Sequence, residues 1–396
     1  LAWTLWGFWR SYGSISEGRT WLEQLLQLDA HPSQPAAMIA RQRGLYAAAW
    51  LASDQHDYAA ATRLFEERAA LRRALGETEA EIDMLLNAAR QARAAGQYQR
   101  ATALLEDALS RHRAQGQPTT IESPRMGLSF DELGQVLREL GLVLREQGHF
   151  SRASEMFEEG LNLHRAIRTD RASVAFALLG LADVARDRGD AVGVREHGEP
   201  SLEILRGLGM QWAIGFALNT LALGAYYKND LARALALIEE SVALFRGLKS
   251  DASLAEVLIT LGKIVRAHGD LAGAYGALSE ALRLAQAVGP RLLVAASMEG
   301  LGGLAAEGGQ AELSVRLLGA AAVLRTQMGT PVRPADQAAL DQALAGARSA
   351  LDERTFAAAW SEAQALPLDQ VLGALPTIRP ARFRWQDGWV TKEAIQ

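Results

Sequence analysis

A short phrase returns along this chain at nearly constant spacing: a polar residue, an apolar or aromatic one, two spacers, then a small residue. It reads Asp57-Tyr58 with Ala61, Gln97-Tyr98 with Ala101, His149-Phe150 with Ala153, Asp190-Ala191, Asp230-Leu231 with Ala234, Asp270-Leu271 with Ala274, and Gln310-Ala311 with Ser314. Its first members lie 40, 52, 41, 40, 40 and 40 residues apart. A fixed period of this size marks a repeat array, in which each unit is one supersecondary element unable to bury its apolar face alone. That constraint settles architecture before any chemistry is asked.

The sequence around each phrase has helical period. Leu64, Phe65, Ala69 and Leu71 follow Asp57, and Leu237, Ile238, Val242 and Phe245 follow Asp230, apolar residues that line one helix face. The phrase is therefore the turn between two antiparallel helices. Gly96, Gly148, Gly189, Gly269 and Gly309 are placed to end the first helix, and Asp190, Asp230 and Asp270 to cap the second. The pattern resembles the tetratricopeptide repeat, with a unit longer than its usual ~34 residues. The expected fold is all-α: a right-handed superhelix of about nine helix pairs with a period of about 40 residues. Nothing reads as strand.

The phase of the repeat gives the organisation. A first pair occupies residues 1–30 and repeats fill 36–330, with capping helices over 331–375 and an irregular tail over 376–396. The one long step localises an insertion to 112–127, where Gly116, Pro118, Ser123 and Pro124 read as a loop. Pro200, inside a second helix, is expected to kink or shorten it. Leu1-Ala2-Trp3 already lies within a helical pattern, so the chain reads as a piece of something longer.

Two stretches carry a further resemblance. The opening FWRSYGSISEGRTWLEQLL, and the closing RLLGAAAVLRTQMG with ERTFAAAWSEAQALPLDQVLGAL, resemble the two ends of the repeat region at the C-terminus of bacterial signal-transduction ATPases of the STAND class, which also occurs with LuxR-type DNA-binding domains. The resemblance spans residues 1–375. It implies a sensor and scaffold arm that binds a protein or peptide trigger and controls an upstream nucleotide-binding module in cis. An alternative, from a likeness to maltose-regulator-type activators, is a domain that binds a small-molecule inducer.

Chemistry is sparse. The sequence has no phosphate loop, no His-Glu-x-x-His and no Gly-x-Ser-x-Gly, so we expect no enzyme, no metal and no cofactor. Gly300-Leu301-Gly302-Gly303 lies within a helical pattern and reads as close helix packing. With 49% hydrophobic residues, 22% charged and no long apolar run, the chain reads as cytoplasmic and not membrane-bound. It has no cysteine, and its net charge of −5 argues against nucleic acid as a partner.

What remains is surface. In the tetratricopeptide pattern, residues fifteen, twelve, eight, five and four before the first turn aromatic line the concave groove. Counting back gives Tyr46 and Trp50, then Arg93, Arg145, Arg186, Asn219, Tyr226, Tyr227 and Arg266 among the groove candidates. The position five before the turn is arginine four times, Arg93, Arg145, Arg186 and Arg266, and tyrosine once, Tyr226. Such a row suits carboxylates or phosphates on a partner. It equally suits internal pairing with Glu146, Asp183, Asp187 and Glu256. Asn219 with Tyr226 and Tyr227 reads as the strongest single recognition spot. Trp3, Trp6 and Trp9 are expected either to pack on Trp21 and Leu22 or to dock the upstream module.

Overall fold

The computed structural model describes residue 9 and residues 15–28, 34–55, 57–76, 80–115, 120–123, 128–166, 171–288 and 291–365. Among them lie seventeen helices. Helix α1 spans Ile15–Leu28, α2 Pro35–Asp54, α3 Tyr58–Ala74, α4 Ala80–Ala94, α5 Tyr98–Gln115, α6 Glu132–Glu146, α7 Phe150–Ala166, α8 Arg171–Arg188 and α9 Ala191–Gly207. The series continues with α10 Gln211–Tyr227, α11 Leu231–Gly247, α12 Asp251–Ala267, α13 Leu271–Val288, α14 Arg291–Glu307, α15 Ala311–Met328, α16 Pro334–Ala350 and α17 Glu353–Ala365. They form consecutive antiparallel pairs, so the fold is all-α and tetratricopeptide-like. The even-numbered helices are the first, or A, members of their pairs; the odd-numbered ones are the B members.

The turn works as the phrase dictates. Gly96, Gly148, Gly189, Gly269 and Gly309 all have φ between +74° and +90°. In the sixth turn Asn229 takes that place at φ 60°. The next amide reaches back five residues to close the helix end, as Asp190 N does to the Ala185 carbonyl at 2.8 Å. Asp57, Asp230 and Asp270 then accept a backbone N–H three residues on, at 3.0, 3.1 and 2.8 Å. The small residue that follows is fully buried in every case: Ala61, Ala101, Ala153, Ala234, Ala274 and Ser314. The fifth pair has Val194 instead, and the helix opposite compensates with Gly224, where a Cβ would come within 2.5 Å of the valine.

Elsewhere, ring-against-glycine packing fixes helix spacing. Gly141 on α6 and Gly180 on α8 both face the buried Phe157 ring, and added Cβ atoms would lie 2.8 and 2.4 Å from it. Burying such a ring contributes ~1.5–3 kcal/mol. The glycines near 300 pack helices as expected: Gly300 meets Leu278, Gly302 meets Leu318, and Gly303 lies against the Arg266 guanidinium.

Two expectations need correction. The insertion contains a strand: β1, Thr120–Ser123, pairs antiparallel with β2, Leu128–Asp131, just beyond it, with Ile121 opposite Phe130. Ile121 on one strand and Leu128 and Phe130 on the other form a two-stranded ladder where composition alone suggested a loop. Of the two effects expected of Pro200, shortening does not occur, since α9 runs through it for 17 residues, as long as most of its neighbours.

By compactness the chain divides into two units. One comprises Leu1–Val184 with Glu203–Gly209, the other Ala185–Leu202 with Met210 onward. The final pair departs from the rule. Helix α17 packs chiefly on α15, whereas α16 packs on α14 and α15 and barely touches its own partner. The expected short helix at 368–375 and the tail at 376–396 lie outside the described residues, as do Trp3 and Trp6. No described helix is long and apolar enough to cross a membrane.

Candidate functional site

Both units carry polar chemistry on their A helices, organised differently. In the first unit the centre is a carboxylate that the sequence did not single out. Glu139 on α6, buried with its side chain 5% exposed, faces Arg90 Nε at 3.1 Å, Arg138 Nη2 at 2.6 Å and Arg93 Nε at 3.6 Å. Arg93 also donates to Glu146 at 3.2 Å, and Arg90 to the Gln135 side chain at 2.9 Å. The network continues through Asn87 to Asp83, which pairs with Arg68 and Arg72 of α3. Burial alone would raise the pKa of Glu139; the charges of Arg138, Arg90 and Arg93 outweigh it and hold the group well below the usual carboxylate range. Burial depresses Arg138, and repulsion from Arg90 and Arg93 adds to that against the attraction of Glu139. Arg93 is pushed up, because Glu146 and Glu139 overcome its desolvation.

The position eleven before the turn residue could have revealed this centre. It reads Ala47, Asn87, Glu139, Gly180, Thr220, Thr260 and Gly300, always small or polar and buried where polar. An ionised group in that row requires partners from a neighbouring A helix.

Each arginine of the expected row has an internal carboxylate. Arg93 has Glu146, Arg145 has Asp183 at 2.7 Å, and Arg186 has Asp187 at 2.8 Å. Arg266 takes Glu307 at 2.6 Å. The row has a simple structural cause, because the arginine carbonyl accepts the turn glycine N–H, as between Gly148 and Arg145 at 3.0 Å. These side chains therefore occupy the last helical turn, where a cation complements the helix dipole. Tyr46 and Trp50 sit in the aromatic core, edge-on to each other at 6.1 Å and to Phe65 at 6.0 and 5.9 Å. Arg68 and Arg90 cover their rings. Trp9 is buried in the same cluster with Leu22, while Trp21 is 54% exposed.

The second unit is different. Along one face of α10 run Trp212, Phe216, Asn219, Leu223, Tyr226 and Tyr227, at spacings that keep them on a single stripe. Trp212, which sequence counting missed because it lies before the fifteenth position, is half exposed and meets Phe216 edge-on at 5.2 Å. Tyr226 and Tyr227 are partly buried with ring centroids 5.6 Å apart. Burial raises both phenols, Tyr227 further, with Asp336 adding to the effect and Arg186 opposing it at Tyr227. Asn219, only 2% exposed, has a side-chain oxygen with no hydrogen-bond partner among the described residues. A buried amide oxygen left unsatisfied costs ~1–3 kcal/mol.

Two cavities stand out. One of about 20 Å³ lies beside Arg138, Ser173 and His164, and another of about 160 Å³ beside Val194, Gly224 and Lys228. Neither reaches the ~300 Å³ of a small-molecule pocket. Among the described residues no three His, Asp or Glu converge as metal ligands.

No family model matches the chain. No curated protein matches it either. Solved structures do. A Rap protein complexed with competence and sporulation factor is 12% identical, with a TM-score of 0.54 over 81% of this chain and 87% of that one. The apo form of the quorum sensor NprR from B. thuringiensis is 13% identical, with a TM-score of 0.44 over 72% of this chain and 81% of that one. A STAND protein with a tetratricopeptide repeat sensor from Pyrococcus horikoshii is 15% identical, with a TM-score of 0.45 over 92% of this chain and 46% of that one. At these identities the Rap match shows the helical-repeat fold and no more.

Proposed function

We propose that this chain is a non-catalytic recognition arm that binds a protein or peptide segment along the A helices of its second unit. The observation that carries the reading is Asn219: a buried amide with an unpartnered oxygen, set in a stripe of aromatic side chains on α10. An amide in such a place can accept a peptide N–H while Trp212, Phe216 and the tyrosines cover apolar side chains. The Rap structure, crystallised with its factor, shares the fold and supports the same use of it. The resemblance of residues 8–26, 316–329 and 353–375 to STAND sensor regions extends the proposal to control of a nucleotide-binding module in cis.

Panning a random dodecapeptide library against the chain tests recognition. Selected peptides should bind the wild type and lose at least about tenfold on Asn219→Leu, whose folding is checked by circular dichroism; peptides indifferent to that change would place recognition elsewhere. Control in cis is tested on the native polypeptide that contains this chain. Its nucleotide turnover should change when a selected peptide is added, and an unchanged rate would refute that part.

A further inference from the structure

The second unit holds a segment of its own chain over the same face. Helix α16 leaves its pair partner, and its N-terminus reaches back to α8 and α12. Arg333 Nε lies 3.4 Å from Asp187 Oδ1, and Asp336 pairs with Lys263. Ala335 comes so close to the α8–α9 turn that a Cβ on Gly189 would stand 3.6 Å from its own.

This half of α16 is poorly held. Only Ala343 and Ala347 of the helix are buried, and both lie in its C-terminal half, where Ala347 joins the cluster around Phe356 and Val315. Nothing from Pro334 to Gln342 is buried. The base of the segment is anchored instead, since Arg325 donates to the Pro331 carbonyl at 3.1 Å and pairs with Glu299. A segment fixed at both ends and attached between them by two ion pairs, Arg333–Asp187 and Lys263–Asp336, can lift without uncovering any buried side chain of its own.

We infer that the face around Asp187, Tyr227 and Lys263 recognises a peptide segment carrying a basic and an acidic side chain about one helical turn apart, and that the N-terminal half of α16 occupies it as an internal mimic. Arg333, the N-cap of α16, and Asp336 in its first turn, three residues apart, supply that pattern. Asp187 receives the cation and Lys263 the carboxylate, and Tyr227 lies close to Asp336, Arg333 and Asp187. An incoming segment exchanges like for like, so the cost of displacement is small. The inference rests on the A-helix face being the binding face, which Asn219→Leu tests without touching the clamp.

The probe is a fluorescein-labelled peptide of residues 330–345, titrated by anisotropy. Wild type should bind it weakly, because the tethered copy competes at high effective concentration. Arg333→Ala with Asp336→Ala should bind it at least about tenfold more tightly. The chain has no cysteine, so Gly189→Cys with Ala335→Cys introduces its only thiols. The Cβ–Cβ separation of 3.6 Å suits a disulfide. The oxidised form should exclude the probe, and reduction should restore the wild-type level. Equal binding by all forms, failure of the thiols to pair, or a lowered melting temperature in the double alanine variant without tighter binding would each overturn the inference and leave α16 a strut.

Discussion

Glu139→Gln isolates the polar centre of the first unit. The substitution keeps the shape of the side chain and removes its charge, leaving Arg90, Arg93 and Arg138 with Glu146 as the remaining carboxylate contact at that centre. Removing one partner from a buried ion pair costs ~3–5 kcal/mol. The side chains of Arg93 and Arg138 remain 33% and 29% exposed and can turn toward water, whereas Arg90 at 8% cannot, which puts the expected loss near ~3 kcal/mol. In urea, with a denaturant slope of ~1–3 kcal/mol/M, the midpoint of the first unit should fall by about 1–3 M. Adding Arg138→Met should recover ~1 kcal/mol by removing one of the crowded charges, a coupling that a double-mutant cycle measures. A midpoint shift below about 0.3 M, or full additivity of the two changes, would refute the claim that one carboxylate holds three guanidiniums together.

Further outcomes follow from individual contacts. Gly180→Ala should destabilise by ~1–3 kcal/mol, since its methyl would enter the Phe157 ring, whereas Gly276→Ala, with open space around it, should stabilise by ~0.5–1 kcal/mol in the same urea titration. Asp230→Ala should cost ~1 kcal/mol through the lost cap on the Arg233 N–H, read as a lower melting temperature. Asp336 is held below the usual carboxylate range, because Lys263 and Arg333 outweigh its burial. Its contribution is therefore complete above pH ~4 and is lost as pH falls through its lowered folded value. Amide exchange at 334–342, corrected for its intrinsic pH dependence, should accelerate in acid before the chain unfolds globally; simultaneous loss of protection everywhere would contradict the clamp.

The fold was legible because its determinants are local and repeated. A left-handed turn residue, an acidic cap and a small residue four positions after it recur in phase, so one unit explains the next. Glu139 escaped notice because its meaning depends on Arg90 and Arg93, some 50 residues earlier, and only packing brings them together. The same limit hid the return of α16 to Asp187 and Lys263, which no periodicity encodes. The arginine row was visible, but its cause lay in the helix terminus it occupies, and each member has an internal carboxylate. The hairpin at 120–131 was missed because two four-residue strands give too short an alternation to stand out against turn residues.

Hydrogen–deuterium exchange of the chain saturated with a library-selected dodecapeptide tests the central claim most directly. If the A helices of the second unit form the recognition face, protection will appear in α10 and α12 and at the C-terminal end of α8, while α11 and α13 exchange as before. The claim is contradicted if protection falls on α11 and α13, or on the hairpin at 120–131, with α10 unchanged.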